Sequence, residues 1–218
     1  MLTPVLIVLG SYFIGGVPVA YLTGWLLRGV DIRRYGSGNV GASNVWQSIS
    51  RAAVVPVGLA EIGQGLLGIV IAKAVDQGLA VQVLAGLAAL AGHNWSPFLR
   101  LTGGRGVGHA IGFLLILSWP GLGAFVGLSL LGVALRAIPQ FVGLGIAVAP
   151  LAALAKGQSL EIVAGSAGMA ALIIAKRLLG NRLALPPGAD PRRVLLNRLL
   201  YDRDTHEREA WVRRGQDE

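Results

Sequence analysis

Residues 31–44 combine the side chains and the backbone flexibility that a phosphate-binding loop needs. Their sequence is DIRRYGSGNVGASN, in which three glycines let the backbone turn tightly and approach a ligand. Arginines supply positive charge, and hydroxyl and amide side chains can hydrogen-bond to phosphate oxygens. A polar turn that only connects two helices can have the same composition, so both interpretations are open at this point. The candidate ligand-binding residues are Arg33, Arg34, Gly36, Ser37, Gly38, Asn39, Ser43 and Asn44.

Residues 92–107 form a second segment of the same character, with the sequence GHNWSPFLRLTGGRGV. Within it, Gly103, Gly104 and Gly106 surround Arg105, so backbone amides and one guanidinium group can converge on an oxyanion with little side-chain bulk between them. The spacing and the terminal Lys-Ser/Thr of a nucleotide-binding P-loop are absent. Two such loops on one face of the molecule would form a more credible phosphate site than either loop alone.

The composition predicts an integral membrane protein. Of the 218 residues, 54% are apolar and 14% are charged, and the mean hydropathy is +0.64, which is more apolar surface than a soluble domain of this size needs to bury. The run 2–27 carries no charge and is long enough to cross a hydrocarbon core about 30 Å thick. Because no basic residues follow Met1, a retained span fits this run better than a cleaved signal peptide.

Cysteine is absent, so the sequence offers no disulfide, thiolate nucleophile or cysteine metal site. The three histidines, His93, His109 and His206, are too widely separated in the sequence to predict a metal site. We therefore expect neither a metal nor another cofactor. We ascribe the net charge of +8 to membrane orientation and contact with anionic lipid, and expect no nucleic-acid partner.

Seven apolar runs predict an all-α protein with about seven transmembrane helices. Two of them, 79–92 and 107–119, are shorter than the usual ~20 residues, so tilted, partly re-entrant or polar-extended helices are open alternatives there. The runs cover residues 2–27, 52–75, 79–92, 107–119, 121–135, 138–155 and 160–175.

If all seven runs cross the membrane, positive charge is concentrated on one side. Every Lys and Arg except Lys73 and Lys156 then falls in the connections of a single face or in the tail after the last run. The positive-inside rule predicts that this face is cytoplasmic, with the N-terminus outside and the C-terminus in the cytoplasm. Both glycine-rich loops lie on that face.

Glu61 lies inside the second apolar run. A carboxylate within a span costs roughly 2.5–3.5 kcal/mol on insertion scales, so it should face the bundle interior and have a partner. Gln64, three residues later, shares its helix face. We expect Glu61 to support the site, the alternative being an isolated structural polar residue.

The sequence divides into a membrane domain, residues 1–185, and a charged cytoplasmic tail, residues 186–218. The Pro-Pro-Gly sequence at 186–188 ends any preceding helix. Asp190 and Pro191 predict an N-cap and a first helical residue, and the leucines and arginines that follow suit an amphipathic helix on the inner leaflet. A solvated appendage is an equally good interpretation.

The two loops, followed by a basic stretch at the end of the last run, resemble the three motifs of the bacterial acyl-phosphate:glycerol-3-phosphate acyltransferases, the PlsY family. The resemblance covers residues 2–183 and includes Ser11-Tyr12 and Gly16-Val17-Pro18 in the first run. It implies seven transmembrane helices and an active site near the cytoplasmic surface of the bacterial cell membrane. It also implies transfer of an acyl chain from acyl phosphate to glycerol 3-phosphate, which gives lysophosphatidic acid for phospholipid synthesis.

The resemblance also assigns roles to individual residues. Ser37, Arg105 and Glu61 match positions that it makes catalytic, with Arg105 in place of a lysine and Glu61 in place of an aspartate. Ser43 stands where threonine is usual. The phosphate-binding residues that it implies are Arg33, Arg34, Gly36, Gly38, Asn39, Ser43, Asn44, His93, Gly103, Gly104, Gly106, Lys176, Arg177 and Asn181.

Four positions depart from the family pattern. Gln47 stands where the first motif ends in arginine, and Gln64 stands where the second run has a lysine. Lys176 and Leu179 replace the histidine and the asparagine of the third motif, and Asn181 could take the asparagine's place by a shift in register. These departures favour an alternative hypothesis, a non-catalytic or repurposed relative that binds a phosphorylated lipid or regulates a partner.

Overall fold

The computed structural model describes residues 2–181 and 189–205, which form ten α-helices, two 3₁₀ turns and no β-strand. The all-helical prediction is confirmed. The 3₁₀ turns, Ile32–Arg34 and Pro97–Leu99, lie one in each polar loop. The α-helices are α1 (Leu2–Gly16), α2 (Val19–Arg28), α3 (Ala42–Ser48), α4 (Val54–Ala74), α5 (Leu79–Asn94), α6 (Val107–Leu117), α7 (Trp119–Ala134), α8 (Ile138–Ala155), α9 (Leu160–Leu179) and α10 (Pro191–Tyr201).

Several of these helices can cross a membrane. Four segments of the described structure have the length and the apolar composition for it, and α6 and α7 are apolar but shorter. Leucines on α1, α4, α7 and α8 are more than half exposed, and an apolar exterior of this extent is the kind of surface that lipid covers. The chain is therefore an integral membrane protein. The four segments are Leu2–Arg28, α4, α8 and α9.

The apolar runs predict the long helices well, but α3 lies in no apolar run, and two runs differ from the observed helices. The first run is one candidate span but two helices, because the chain is not helical at Val17 and Pro18. At the other end of the domain, α9 continues to Leu179, beyond the predicted end of the last run. Lys176 and Arg177 therefore belong to the last turn of a helix, where both are buried.

The break between α1 and α2 is caused by Pro18 and stabilised by side chains from distant helices. Proline has no N–H, so the Ile14 carbonyl loses the donor that a continuous helix would give it. The Gln64 side-chain amide donates to this carbonyl at 2.8 Å and to the Val17 carbonyl at 3.1 Å. Ser96 Oγ donates to the Gly16 carbonyl at 2.6 Å. Gln64 thus stabilises a break in the first span instead of pairing with Glu61.

Helices α1 and α5 approach each other so closely that glycine is required at their contact. A Cβ atom at Gly15 would overlap the Ala89 carbonyl group, and one at Gly92 would overlap the carbonyl oxygen of Tyr12. Small residues permit this type of backbone contact between membrane helices. The contact fixes the start of the second polar loop, since Gly92 is the first residue of that loop and belongs to the last turn of α5, which ends at Asn94.

Helix α10 packs against the membrane helices. It begins as the sequence predicts, with Asp190 as the N-cap, accepting a hydrogen bond from the Arg192 backbone N–H at 3.0 Å, and with proline in the first turn. Val194 and Arg198 are buried against the ends of α8 and α9. The four leucines of α10 that remain exposed are Leu195, Leu196, Leu199 and Leu200.

We predict that Gly92→Ala lowers the free energy of unfolding by about 1–3 kcal/mol, because the new methyl group forces α1 and α5 apart. Thermal unfolding of the purified protein in detergent measures the effect. The matched control is Gly10→Ala, also in this helix pair, where a Cβ atom meets nothing within 4 Å. Equal stability of the two variants would contradict the close contact.

Candidate active site

The first polar loop is shaped from within by Asn44. Its side-chain nitrogen lies within hydrogen-bond distance of the backbone carbonyls of Ile32, Tyr35 and Asn39, at 3.2, 3.1 and 3.0 Å. Its side-chain oxygen accepts a hydrogen bond from Ser48 at 3.1 Å. Asn44 is fully buried, so the structure places it inside the loop and not on a ligand-facing surface.

Two glycines are required for the turn of this loop. Gly36 and Gly38 have φ angles of 53° and 66°, in the left-handed region that glycine adopts readily. A Cβ atom at Gly36 would also lie only 2.6 Å from the side-chain oxygen of Asn44. The turn directs Ser37 toward the outside of the loop, where it lines a cavity.

The second polar loop rests on His93. The Gly104 N–H donates to the His93 carbonyl at 3.1 Å, and a Cβ atom at Gly104 would overlap the imidazole ring. The same ring lies 4.3 Å from the ring of His109, and both histidines are buried. His93 therefore supports the loop from below and does not line the cavity above it.

Asn181 joins the two loops to the end of α9. Its side-chain nitrogen donates to the Gly38 carbonyl at 2.9 Å and to the Gly103 carbonyl at 2.8 Å. Its side-chain oxygen accepts from the Gly103 N–H at 3.2 Å. Since the Val40 N–H also donates to the Gly103 carbonyl, the three segments with family-like motifs meet at one point.

A cavity of about 330 Å³ lies where these segments meet. Four arginines line it, together with the hydroxyl-bearing residues of both loops and the turn that follows α9. Such a lining suits an anionic ligand, because arginine and backbone or hydroxyl donors together bind phosphate oxygens. The described lining residues are Asp31, Arg33, Arg34, Ser37, Gly38, Thr102, Arg105, Gly180, Asn181, Arg198 and Asp204.

Three of these arginines have an aspartate partner. Arg33 contacts Asp31 at 2.7 Å, Arg105 contacts Asp202 at 2.7 Å, and Arg198 contacts Asp204 at 2.6 Å. The three pairs differ in exposure, since the side chains of Arg105 and Arg198 are only 8% and 5% exposed, whereas that of Arg33 is 32% exposed. Buried charges need such partners, because burial removes their hydration.

The Arg33–Asp31 pair has the geometry of a two-point ion pair. The Nε and Nη2 atoms of Arg33 both donate to the carboxylate, and Nη1 donates to Thr102 in the other loop at 3.3 Å. The hydrogen bond from Arg33 lowers the pKa of Asp31, and the same bond raises the pKa of Arg33. Both groups are therefore ionised at neutral pH, and the cation also ties one loop to the other.

Arg105 is held by the end of α9 and by the tail. Its Nη1 donates to the Lys176 carbonyl at 2.8 Å, and its Nε faces Asp202. The side chain of Lys176 is buried, with Nζ 5.4 Å from the centre of the Trp95 ring. The cation of Lys176 thus lies beneath the cavity, whereas its backbone positions Arg105.

Other predicted residues lie away from the cavity lining. Arg177 donates to the carbonyls of Pro139 and Leu199 at 3.1 and 3.2 Å, so it connects α9 to α8 and α10. Ser43 is exposed on α3, and its carbonyl accepts from Gln47 at 3.1 Å. Asn39, Gly103, Gly104 and Gly106 belong to the buried walls of the loops.

Glu61 is buried beneath both loops. A methyl group at Gly41 would lie 3.6 Å from its Oε1 atom, and one at Gly108 would lie 3.2 Å from its Oε2 atom. The carboxyl group thus sits between the first residues of α3 and α6. This placement suits a residue that positions the loops rather than one that touches a ligand.

A second groove, of about 820 Å³, lies on the other side of the first loop. Gln47 lines this groove together with Arg28, Trp46 and Arg51. The position at which the first motif departs from the family thus faces a different surface from Ser37 and Arg105.

The sequence interpretation missed Asp31, Thr102, Arg198, Asp202 and Asp204. Arg198 follows Val194 by one helical turn, so the buried face of α10 could have been found from its periodicity. Nothing in the sequence indicates that Asp204 lines the cavity or that Asp202 contacts Arg105, because their positions depend on how α10 packs.

Comparisons with known proteins all point to one family. The profile of the family described as glycerol-3-phosphate acyltransferase matches residues 5–181. Glycerol-3-phosphate acyltransferase 4 of Dehalococcoides mccartyi (strain CBDB1) is 32% identical over 98% of this chain and 96% of its own length. The glycerol-3-phosphate acyltransferase of Synechococcus sp. (strain CC9902) is 37% identical over 88% of this chain and 96% of its own.

Two solved structures share the fold. The crystal structure of PlsY (YgiH), an integral membrane glycerol 3-phosphate acyltransferase, in its glycerol 3-phosphate form, has a TM-score of 0.75 and 27% identity, and covers 93% of this chain and 94% of its own. The lysophosphatidic acid form has a TM-score of 0.74 and 25% identity, and the match covers 96% of this chain and 98% of that structure's chain.

We predict that Asn181→Ala lowers the free energy of unfolding by about 1–3 kcal/mol, because the three hydrogen bonds that join the Asn181 side chain to the two loops are lost. Amide hydrogen exchange at Gly103 should accelerate in parallel. Asn181→Asp is the sharper variant, since it keeps the shape but turns a carboxylate toward two carbonyl oxygens. If Asn181→Asp is as stable as the native protein, the assigned hydrogen bonds are incorrect.

Proposed function

This chain belongs to the glycerol-3-phosphate acyltransferase family, and from that premise we propose that it transfers the acyl chain of an acyl phosphate to glycerol 3-phosphate. The products are lysophosphatidic acid, an intermediate of phospholipid synthesis, and inorganic phosphate. The observation that supports this function most directly is the cavity at which Ser37, Arg105 and Asn181 meet. It brings together cations and hydrogen-bond donors from all three family-like segments.

The reaction needs positioning and anion stabilisation more than a covalent nucleophile. Acyl phosphate is a mixed anhydride whose phosphate is already a good leaving group. The 1-hydroxyl oxygen of glycerol 3-phosphate attacks the acyl carbon, the bond from that carbon to the phosphate oxygen breaks, and the hydroxyl proton leaves with the phosphate. Holding the two substrates in this geometry supplies much of the rate acceleration.

Both substrates carry a phosphate, and the cavity offers several groups to hold them. In this proposal Arg105 and Ser37 contact phosphate oxygens, and Arg33 and Arg34 add positive charge at the cavity wall. Negative charge grows on the leaving phosphate as the anhydride bond breaks, so a fixed guanidinium group stabilises the transition state more than the ground state. Glu61, His93, Asn44 and Asn181 position the loops.

The proposed membrane arrangement is seven transmembrane helices in the inner membrane of a bacterium, with the N-terminus outside and the C-terminus in the cytoplasm. The charge distribution supports it, since Lys73 and Lys156 are the two basic residues on the outer side. The active site then faces the cytoplasm, where soluble glycerol 3-phosphate reaches the cavity, and the acyl chain of the donor extends into the bilayer.

We predict that the purified protein in lipid nanodiscs forms labelled lysophosphatidic acid from a long-chain acyl phosphate and labelled glycerol 3-phosphate. Arg105→Gln should lower kcat/KM by about 10²–10³, as the loss of one anion-stabilising group does. The kcat/KM of Arg105→Lys should lie between those of the native protein and Arg105→Gln, because lysine keeps the charge but lacks the planar guanidinium fork.

The matched control is Arg193→Gln, which removes the same charge from an exposed position on α10. It should retain native kcat/KM. Thermal unfolding of each variant separates loss of activity from loss of fold. No product from the native protein, under conditions in which a PlsY enzyme is active, would overturn the proposed reaction.

We predict opposite labelling of two exposed positions in a chain that has no native cysteine. In intact cells, a membrane-impermeant maleimide should label Lys156→Cys and should not label Arg192→Cys until the membrane is permeabilised. The reverse pattern would place the cavity on the outer face.

A further inference from the structure

The tail contributes charged groups to the cavity although it follows the residues that the family profile matches. The family profile ends at residue 181, whereas Arg198 and Asp204 line the cavity and Asp202 contacts Arg105. Because these residues follow the last membrane helix, their role at the site depends on the packing of α10.

Helix α10 fixes the position of Asp202. Arg198 donates to the carbonyls of Leu178 and Leu179 at 2.8 and 3.2 Å and contacts Asp204, which anchors the helix to the end of α9. The helix then ends at Asp202, whose left-handed conformation has a φ angle of 56° and whose N–H donates to the Arg198 carbonyl. This turn directs the Asp202 carboxylate toward Arg105.

The contact between Asp202 and Arg105 is an ion pair without a well-directed hydrogen bond. The oxygen and the Nε atom are 2.7 Å apart, but within the described residues neither atom has a hydrogen-bond partner of good geometry. The Asp202 side chain is 26% exposed, whereas that of Arg105 is 8% exposed. The Oδ1 atom of Asp202 that contacts Arg105 is itself buried, and Arg105 also lines the cavity. The carboxylate and a ligand in the cavity would therefore compete for the same guanidinium group.

We propose that Asp202 occupies the phosphate position at Arg105 when the site is empty, and that a substrate phosphate must displace it. This inference rests on the proposed function in one respect, that Arg105 binds a substrate phosphate. A phosphate dianion can form two parallel hydrogen bonds with a guanidinium fork, which the Asp202 carboxylate does not form here. Asp202 thus sets the affinity of the site for phosphate.

Competition between Asp202 and phosphate for Arg105 also affects product release, because one product is inorganic phosphate. Inorganic phosphate is left in the cavity after each acyl transfer, among Arg33, Arg105 and Arg198. Return of Asp202 to Arg105 restores the ion pair as the phosphate leaves and so lowers the free energy of the empty site. Without that carboxylate, Arg105 would be a buried cation with no ion-pair partner among the described residues, and phosphate would bind more tightly.

The test is Asp202→Asn in the full-length protein in lipid nanodiscs, with inorganic phosphate and glycerol 3-phosphate as probes in isothermal titration. We expect the Kd of both anions to fall about two- to fivefold, the size of effect that loss of one partly exposed competing ion pair produces. Inhibition of acyl transfer by inorganic phosphate should strengthen by the same factor. Asp202→Gly, which also suits the left-handed conformation, should behave alike.

The matched control is Asp76→Asn. Asp76 is exposed in the connection between α4 and α5, and its φ angle of 53° is close to that of Asp202, so the charge change and the backbone conformation are alike. The control should bind phosphate as the native protein does. An unchanged or raised Kd in both Asp202 variants, with native thermal stability, would show that Asp202 only positions Arg105, and would overturn the proposal.

The proposed acyl transfer and the proposed role of Asp202 can be refuted separately. If the native protein binds phosphate but transfers no acyl chain, the proposed function fails and the titrations still test Asp202. If neither the native protein nor the Asp202 variants bind phosphate, the inference about Asp202 fails as well.

Discussion

The rest of this structure depends on one constraint, that backbone carbonyl groups without a donor in their own helix need a hydrogen-bond partner elsewhere. Water is scarce at the depth of the bilayer, so each such group needs a partner from the protein. Gln64 donates to two carbonyls at the break before Pro18, Asn181 to two in the loops, and Arg198 to two at the end of α9. All three side chains come from segments distant in sequence. The same hydrogen bonds that satisfy the backbone therefore also assemble the site.

The second constraint is the placement of charge within a mostly apolar protein. Arg105 and Arg198 are almost fully buried, which is tolerable because each has a carboxylate and backbone carbonyl partners. A site built in this way has its cations fixed in position before a ligand arrives.

The sequence predicted the helices and both loops, because hydropathy and glycine-rich composition are local properties. It could not predict which polar residues face the cavity. Asn44 and His93 shape the loops from below, and Arg177 points toward α8 and α10, although each has the residue type of a phosphate ligand. Hydrogen bonds from a side chain to a distant carbonyl leave no periodic pattern. The role of Asp202 was likewise hidden, since it depends on the packing of a helix that could also have lain on the membrane.

The positions of the charged side chains show that the departures from the family pattern affect the cavity less than the sequence suggests. Gln47 lines a separate groove, and the cation of Lys176 is buried beside Trp95, so neither position decides how many cations reach the cavity. Four arginines line it, and one of them, Arg198, comes from the tail outside the family match. Three of these arginines are paired with aspartates, and two of the aspartates, Asp202 and Asp204, also come from the tail. The tail is consequently part of the site, and a truncation before residue 190 would remove a wall of the cavity as well as the carboxylate that faces Arg105.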